Sequence, residues 1–154
     1  MCFGINSRSK VLGLEGQFKR HFSNCMFKHI FAANLFKMTY KQKSQALHDM
    51  IFSGQLMDAF EKYYHADVVM QEIGEEPRVG KDANRAYEQK FLSMVKAVHG
   101  AGITAMASDE ENGVVMIENW MDVTFQDDSR VKLSQVSVQK WDGDQIIAET
   151  FYHK

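Results

Sequence analysis

The amino-acid sequence predicts an α+β fold in which three helices pack on a strongly curved, mainly antiparallel sheet to make a cone. Residues 114–154 alternate apolar and polar side chains in three consecutive runs separated by short polar turns, the period of two that strands require. The stretches near 40–64 and 82–98 instead carry apolar residues at helical spacing. The resulting order is helix, helix, strand, helix, then a four-strand meander, with the helices closing over one face of the sheet.

The first helix starts at Thr39-Tyr40-Lys41-Gln42, a capping-box pattern in which the Thr and Gln side chains satisfy free N–H groups. The Lys43 stem, Leu47, Met50 and Ile51 follow at helical spacing, and Gly54 suits the helix end. A second helix spans Gln55 to Tyr64 with Leu56, Phe60, Tyr63 and Tyr64, until His65-Ala66-Asp67 breaks the pattern. Asp67 to Ile73 alternates as a strand with Val68, Met70 and Glu72 on one face, and ends at Gly74 ahead of Pro77, the chain's single proline. A long helix is expected from about Asp82, a candidate cap, with Tyr87, Phe91, Met94, Val95 and Val98 as its stripe. Gly100 and Gly102 end it or open the next strand, Ala101 to Ser108. Asn112-Gly113 is a hairpin signal because both residues accept positive φ. Strands are then expected near Val114–Gln126, Val131–Trp141 and Asp144–Tyr152, joined at Asp127-Asp128-Ser129-Arg130 and Asp142-Gly143.

Carrying the register through those turns sorts the side chains into two faces. Pairing Gln126 with Val131 and Trp141 with Asp144 puts Asn119, Met121 and Val123 together with Ser134, Val136, Val138, Ile147, Glu149 and Phe151. This largely apolar face is the expected cavity wall. The other face collects Glu118, Trp120, Asp122, Thr124, Gln135, Ser137, Gln139, Trp141, Ala148, Thr150 and Tyr152. Its mixture of aromatic and polar groups suits a homodimer interface through Trp120, Gln135 and Trp141. A bulge would swap every assignment beyond it.

Composition narrows the function. With 154 residues, 45% of them apolar, one globular domain could bury roughly two-thirds of its unfolded surface. Residues 1–38 hold six Lys or Arg against the single acid Glu15, which leaves 12 basic and 19 acidic residues in 39–154. An acidic body is unsuited to nucleic acid, whose phosphates select clustered cations. Cys2 and Cys25 form no zinc spacing or disulfide framework. No apolar run reaches the 18 or so residues that a membrane span needs, and a cytoplasmic protein is expected. Residues 1–38 read as a separate basic, Phe-rich extension, with six of the eleven phenylalanines. It is expected to be a start-site artefact, with Met38 as the natural initiator and 39–154 as the domain, or else a docked or membrane-facing arm or a targeting peptide.

The run Tyr64-His-Ala-Asp-Val-Val-Met-Gln-Glu72-Ile-Gly-Glu-Glu-Pro77-Arg-Val-Gly80, the ending Val138-Gln-Lys-Trp-Asp-Gly-Asp-Gln-Ile-Ile-Ala-Glu149-Thr-Phe-Tyr152 and the order of elements over 39–154 resemble the SnoaL-like polyketide cyclases and ketosteroid isomerases of the nuclear transport factor two-like superfamily. The resemblance implies the cone fold, and it sets Glu72 where ketosteroid isomerases carry a proton-abstracting aspartate. Two positions depart from the isomerase pattern: that acid is Glu, and the oxyanion-donating tyrosine of helix one falls on Leu47. A steroid isomerase is therefore not expected.

From strand parity, Glu72 and Glu149 are the acids that point into the apolar cavity, where desolvation raises a carboxyl pKa and fits it for proton transfer. The alternative is a rim carboxylate, solvated or paired with Arg78, Arg85 or a helix terminus. Asn119 could hold a carbonyl or enolate oxygen. Tyr64 is a proton donor or a core tyrosine, and Met70, Phe91, Met121 and Phe151 are walls. His48, His65, His99 and His153 show no metal-ligand spacing, and no glycine-rich phosphate loop follows a strand, so neither metal nor cofactor is expected. The sequence supports a cofactor-free isomerase, cyclase or dehydratase acting on a small apolar carbonyl compound. The alternative is a non-catalytic ligand-binding or dimeric interaction module with the same fold; a cavity filled by Met50, Met70, Phe91, Met94, Met121 and Phe151 would leave no room for a substrate.

Overall fold

Helix α1, Tyr40–Phe52, begins at the expected capping box: Gln42 N–H donates to Thr39 Oγ1 over 3.1 Å and Thr39 N–H to the Gln42 side chain over 2.9 Å. The Glu110 carboxylate adds two further acceptors for this helix start, taking hydrogen bonds from the backbone of Tyr40 and Lys41. The computed structural model describes residues 37–153, so the expectations for the amino-terminal extension lie outside the described residues. Helix α2, Leu56–Tyr63, leads directly into β1, Tyr64–Glu72. The short strand β2, Arg78–Val79, folds back on β1 and is followed by α3, Lys81–Met94. Gly80 with φ of 90°, rather than Asp82, stands at the start of α3, because the chain turns there through a conformation that favours glycine.

Four long strands complete the fold: β3 Val95–Asp109, β4 Val114–Phe125, β5 Arg130–Asp142 and β6 Gln145–His153. The sheet order is β2-β1-β6-β5-β4-β3, antiparallel except for β1 beside β6. β3 begins six residues earlier than the sequence suggests, so Val95 and Val98 belong to the sheet and not to a helical stripe. Both pair with β4, opposite Phe125 and Val123. Gly100 and Gly102 make room for the Trp120 indole, to which a Cβ at either position would come within 3.2 Å. At the β3–β4 turn only Gly113 takes positive φ, and its carbonyl accepts from Trp141 N–H over 2.7 Å.

The strand register departs from expectation at two places. Between β4 and β5, Phe125 and Ser129 close the turn, Asp128 takes φ of 65°, and Thr124 pairs with Arg130. Asn119 therefore lies opposite Gln135, and Ile117 opposite Ser137. This odd displacement turns every β5 side chain over. Gln135, Ser137, Gln139 and Trp141 face the helices, while Ser134, Val136 and Val138 face away. A bulge between Lys140 and Trp141 then turns the chain over again, so that Glu149 pairs with Gln139 and Phe151 with Ser137. The two reversals cancel, and Glu149 and Phe151 share the inner face with Asn119 and Met121.

Two residues expected at a dimer interface are thereby relocated: Gln135 lines the interior, and Trp141, 3% exposed, is part of the core. Its indole packs on Tyr40 and Tyr63, with ring centroids 6.1 and 6.0 Å away. Leu47, Ala59, Phe60, Val68, Met70, Val115, Ile117 and Ile146 complete the apolar centre beneath α1 and α2. Trp120 remains on the outer face, where Lys132 Nζ lies 4.3 Å from its ring centroid.

Candidate functional site

Between the helices and the inner sheet face lies an open cavity of about 1070 Å³. Glu72, Glu149, Asn119, Tyr64, Met70, Phe91, Met121 and Phe151 all border it. Met70 and Phe151 come from β1 and β6, Phe91 from α3, and Met121 from β4. These side chains form walls and leave the interior open. Each acid reaches it by the alternation of its strand: Val68, Met70 and Glu72 along β1, Glu149 and Phe151 along β6.

At the closed end, Glu149 is 3% exposed and both carboxylate oxygens have partners. Tyr64 Oη donates to Oε2 over 2.5 Å and Gln139 Nε2 to Oε1 over 3.0 Å. Gln139 is fixed in turn, because its Oε1 accepts from Ser44 Oγ at 2.8 Å and from Trp141 Nε1 at 3.2 Å. This arrangement sets the Gln139 amide so that its N–H₂ group must point to the carboxylate. Burial raises the Glu149 pKa, opposed by the hydrogen bonds from Tyr64 and Gln139. Burial and the adjacent Glu149 charge push the Tyr64 phenol well above its ordinary value, keeping it a donor at neutral pH.

Glu72 sits toward the mouth in a different setting. Arg78 Nη2 lies 3.3 Å from its Oε1 and His153 Nε2 3.1 Å from its Oε2. Arg78 is itself held by Asn84 Oδ1 at 3.3 Å and stacks 3.6 Å from the Tyr87 ring centroid. Asn84 also donates to the carbonyls of Arg78 and Gly80. The Arg78 pairing matches the rim-carboxylate alternative weighed for Glu72.

Glu88, on α3, is the acid that sequence reasoning missed. It lines the cavity, half-buried, with no hydrogen bond or ion pair among the described residues. Burial and the Glu149 charge raise its pKa to about 7, with Glu72 adding to the effect and Arg78 opposing it. Glu88 lies four residues after the buried Asn84 and three before Phe91, so these residues share one helix face. That spacing was the available signal. His48, considered in the sequence only as a metal ligand, is buried one turn after Ser44, whose carbonyl takes its Nδ1–H over 2.8 Å, and it borders the cavity. Nε2 is then the nitrogen left for water or ligand. Among the described residues no group of three or more His, Cys, Asp or Glu is placed to hold a metal ion.

A curved six-stranded sheet with three helices over one face and a carboxyl-bearing cavity between them defines a cone-shaped domain with the nuclear transport factor two-like fold. The SnoaL-like domain family matches residues 31–153, and the chain belongs to that family. A candidate SnoaL-like polyketide cyclase from Mesorhizobium loti superposes with a TM-score of 0.65 at 23% identity, over 75% of this chain and all (100%) of that one. A candidate isomerase from Bacillus subtilis gives 0.66 at 12% identity, covering 76% of this chain and 90% of its own. An LEH-like epoxide hydrolase from M. tuberculosis gives 0.62 at 15%, covering 75% and 82%. At these identities what is shared is the fold, which hosts several reactions. No curated protein matches by sequence.

Proposed function

We propose that the cavity is the site of a cofactor-free proton transfer on a small apolar carbonyl compound, a reaction of the isomerase, cyclase or dehydratase kind. The observation that carries this reading is the convergence of Glu72, Glu88 and Glu149 on one largely apolar cavity, with Arg78 paired to Glu72 and acting on Glu88. Glu88 is the carboxyl poised to exchange a proton at neutral pH, since a group titrating near the working pH is present in both forms. As the base it takes a proton from the carbon next to the carbonyl, and the electron pair moves to the carbonyl oxygen. Asn119 supplies an uncharged donor to that oxygen. Where the substrate carries a β,γ double bond, the resulting dienolate takes the proton back at its γ carbon, the double bond moves into conjugation with the carbonyl, and an isomerisation is complete. Glu149, braced by Tyr64 and Gln139, is the second acid, and Glu72 with Arg78 sets the charge at the mouth.

The test follows deuterium uptake next to the carbonyl of a small ketone such as 2-hexanone in D₂O. Wild type is expected to accelerate exchange over buffer, and Glu88→Gln and Glu149→Gln to reduce it by at least tenfold, within the usual weight of a general base. Exchange at the buffer rate with wild type would rule the reading out.

We also propose a homodimer through the outer sheet face. Met116, Val136 and Tyr152 stand exposed there beside Trp120, and Val136 pairs across the strands with Tyr152, an apolar patch of the sort that partners cover. Val136→Lys is expected to give a monomer by light scattering while leaving the melting temperature of the monomer intact. A wild-type monomer, or a dimer that tolerates the change, would count against this face.

A further inference from the structure

We propose that His48 is a specificity-determining residue whose Nε2 accepts a hydrogen bond from a hydroxyl group of the substrate, so that the compound the cavity takes is a hydroxy ketone. The inference rests on the carbonyl reading of the cavity and adds a second polar group to the substrate.

His48 stands on the face of α1 that meets the inner sheet. Ser44, one turn before it, gives its hydroxyl to Gln139 Oε1 at 2.8 Å, and the carbonyl of the same residue lies 2.8 Å from His48 Nδ1. A carbonyl oxygen can only accept, so Nδ1 carries the proton and, in the neutral ring, Nε2 carries the lone pair. Phe52 holds the ring from another side, edge-on with centroids 5.7 Å apart. Both the place of the ring and its tautomer are therefore set within α1.

Nε2 has no hydrogen-bond partner among the described residues. Although His48 is only 6% exposed, this nitrogen is not sealed in the core, and it opens on the cavity that the residue lines. The lining that α1 and α2 supply beside it, Ile51, Phe52, Leu56 and Phe60, is apolar. An acceptor in such a wall has given up bulk water, and a ligand or a bound water must return the donor. The protein's own donors at this end are engaged elsewhere: Tyr64 Oη and Gln139 Nε2 serve the two Glu149 oxygens, and Ser44 Oγ serves Gln139. A hydroxyl is the neutral group that supplies the missing proton. With the carbonyl on Asn119 of β4 and the hydroxyl on His48 of α1, two contacts of opposite polarity orient one molecule in a mainly apolar cavity.

The experiment compares, by calorimetry with the full chain, 3-hydroxyacetophenone and 4-hydroxyacetophenone with their methoxy counterparts, which keep the oxygen but cannot donate, in wild type and His48→Phe. In wild type at least one hydroxy compound is expected to bind about fivefold or more tightly than its methoxy partner, within the weight of one hydrogen bond. In His48→Phe, its folding checked by circular dichroism, the two members of that pair are expected to bind alike. The ¹⁵N resonance of His48 Nε2 in wild type is expected to shift on addition of the same hydroxy compound and to stay in place with the methoxy one, a reading that needs no variant. A preference below fivefold in both pairs, a preference that survives in His48→Phe, or a His48 resonance that the hydroxy compound does not move overturns the role of His48 while leaving the carbonyl reading in place. If no member of either pair binds wild type, the carbonyl reading falls with it.

Discussion

Trp141→Ala is expected to destabilise the protein by about 3–5 kcal/mol, the range for removing a large aromatic side chain from a core. Trp141 is 3% exposed, packs against Tyr40 and Tyr63, and donates its indole N–H to Gln139. Its loss opens a cavity under α1 and removes one of the two donors that orient the Gln139 amide beneath Glu149. Urea unfolding would show the midpoint falling with an unchanged slope. A loss below about 1 kcal/mol, as for an exposed side chain, would restore the outward-facing register and contradict the observed one.

Glu88→Gln has the opposite sign. The folded protein holds the Glu88 pKa at about 7 against an ordinary 4.5, so ionisation is harder in the folded chain than in the unfolded one. The contribution of this side chain to stability is intact below about pH 4.5 and is lost as pH rises through about 7, a difference of roughly 3 kcal/mol. Removing the charge should leave stability at pH 4 unchanged and raise it at pH 8 by about 2–3 kcal/mol, the lower figure allowing for the part-exposed setting of the carboxyl. Thermal unfolding of both proteins across that range tests this. A variant no more stable than wild type at pH 8 would show that burial places no strain on Glu88. Gain of stability with loss of proton exchange would be the trade expected where a buried charge is kept for chemistry.

How far the sequence led can be traced residue by residue. The capping box at Thr39 and Gln42, the strand through Val68, Met70 and Glu72, and the closing meander were legible because each is a local pattern with a local cause. So was the inward face of Asn119, Met121, Glu149 and Phe151, although only because two reversals cancel. Trp141, Gln139 and Ser137 were placed on the wrong face because strand parity depends on where the chain turns. The left-handed Asp128 and the bulge beside Lys140 are single-residue events that leave the alternating pattern of β5 untouched. Glu88 was overlooked for another reason. A charged residue on a helix is ordinarily a solvated one, and the apolar stripe expected for α3 joined Phe91 to Tyr87 and Met94, which are exposed, and left out Asn84 and Glu88.

The same distinction explains why fold and chemistry differ in legibility. Fold follows from periodicity summed over many residues, whereas the site depends on how a few side chains from α1, α3, β1, β5 and β6 meet. The Ser44–Gln139–Glu149–Tyr64 chain joins residues up to 105 positions apart in sequence (44 to 149), and no spacing within one element announces it. Once the cavity is in view, the environments separate the acids: Glu72 is tied to Arg78 and His153, Glu149 is braced by neutral donors, and Glu88 has neither.

The proposed proton transfer requires in this cavity a carboxyl that changes protonation near neutral pH, and the direct measurement is a ¹³C NMR titration of the glutamate side chains in wild type and Glu88→Gln. The prediction is one resonance with a midpoint near 7, absent from the variant. If every glutamate titrates in the ordinary range around pH 4–5, and the substitution removes no transition near neutrality, the cavity lacks the acid–base group on which the proposed function depends.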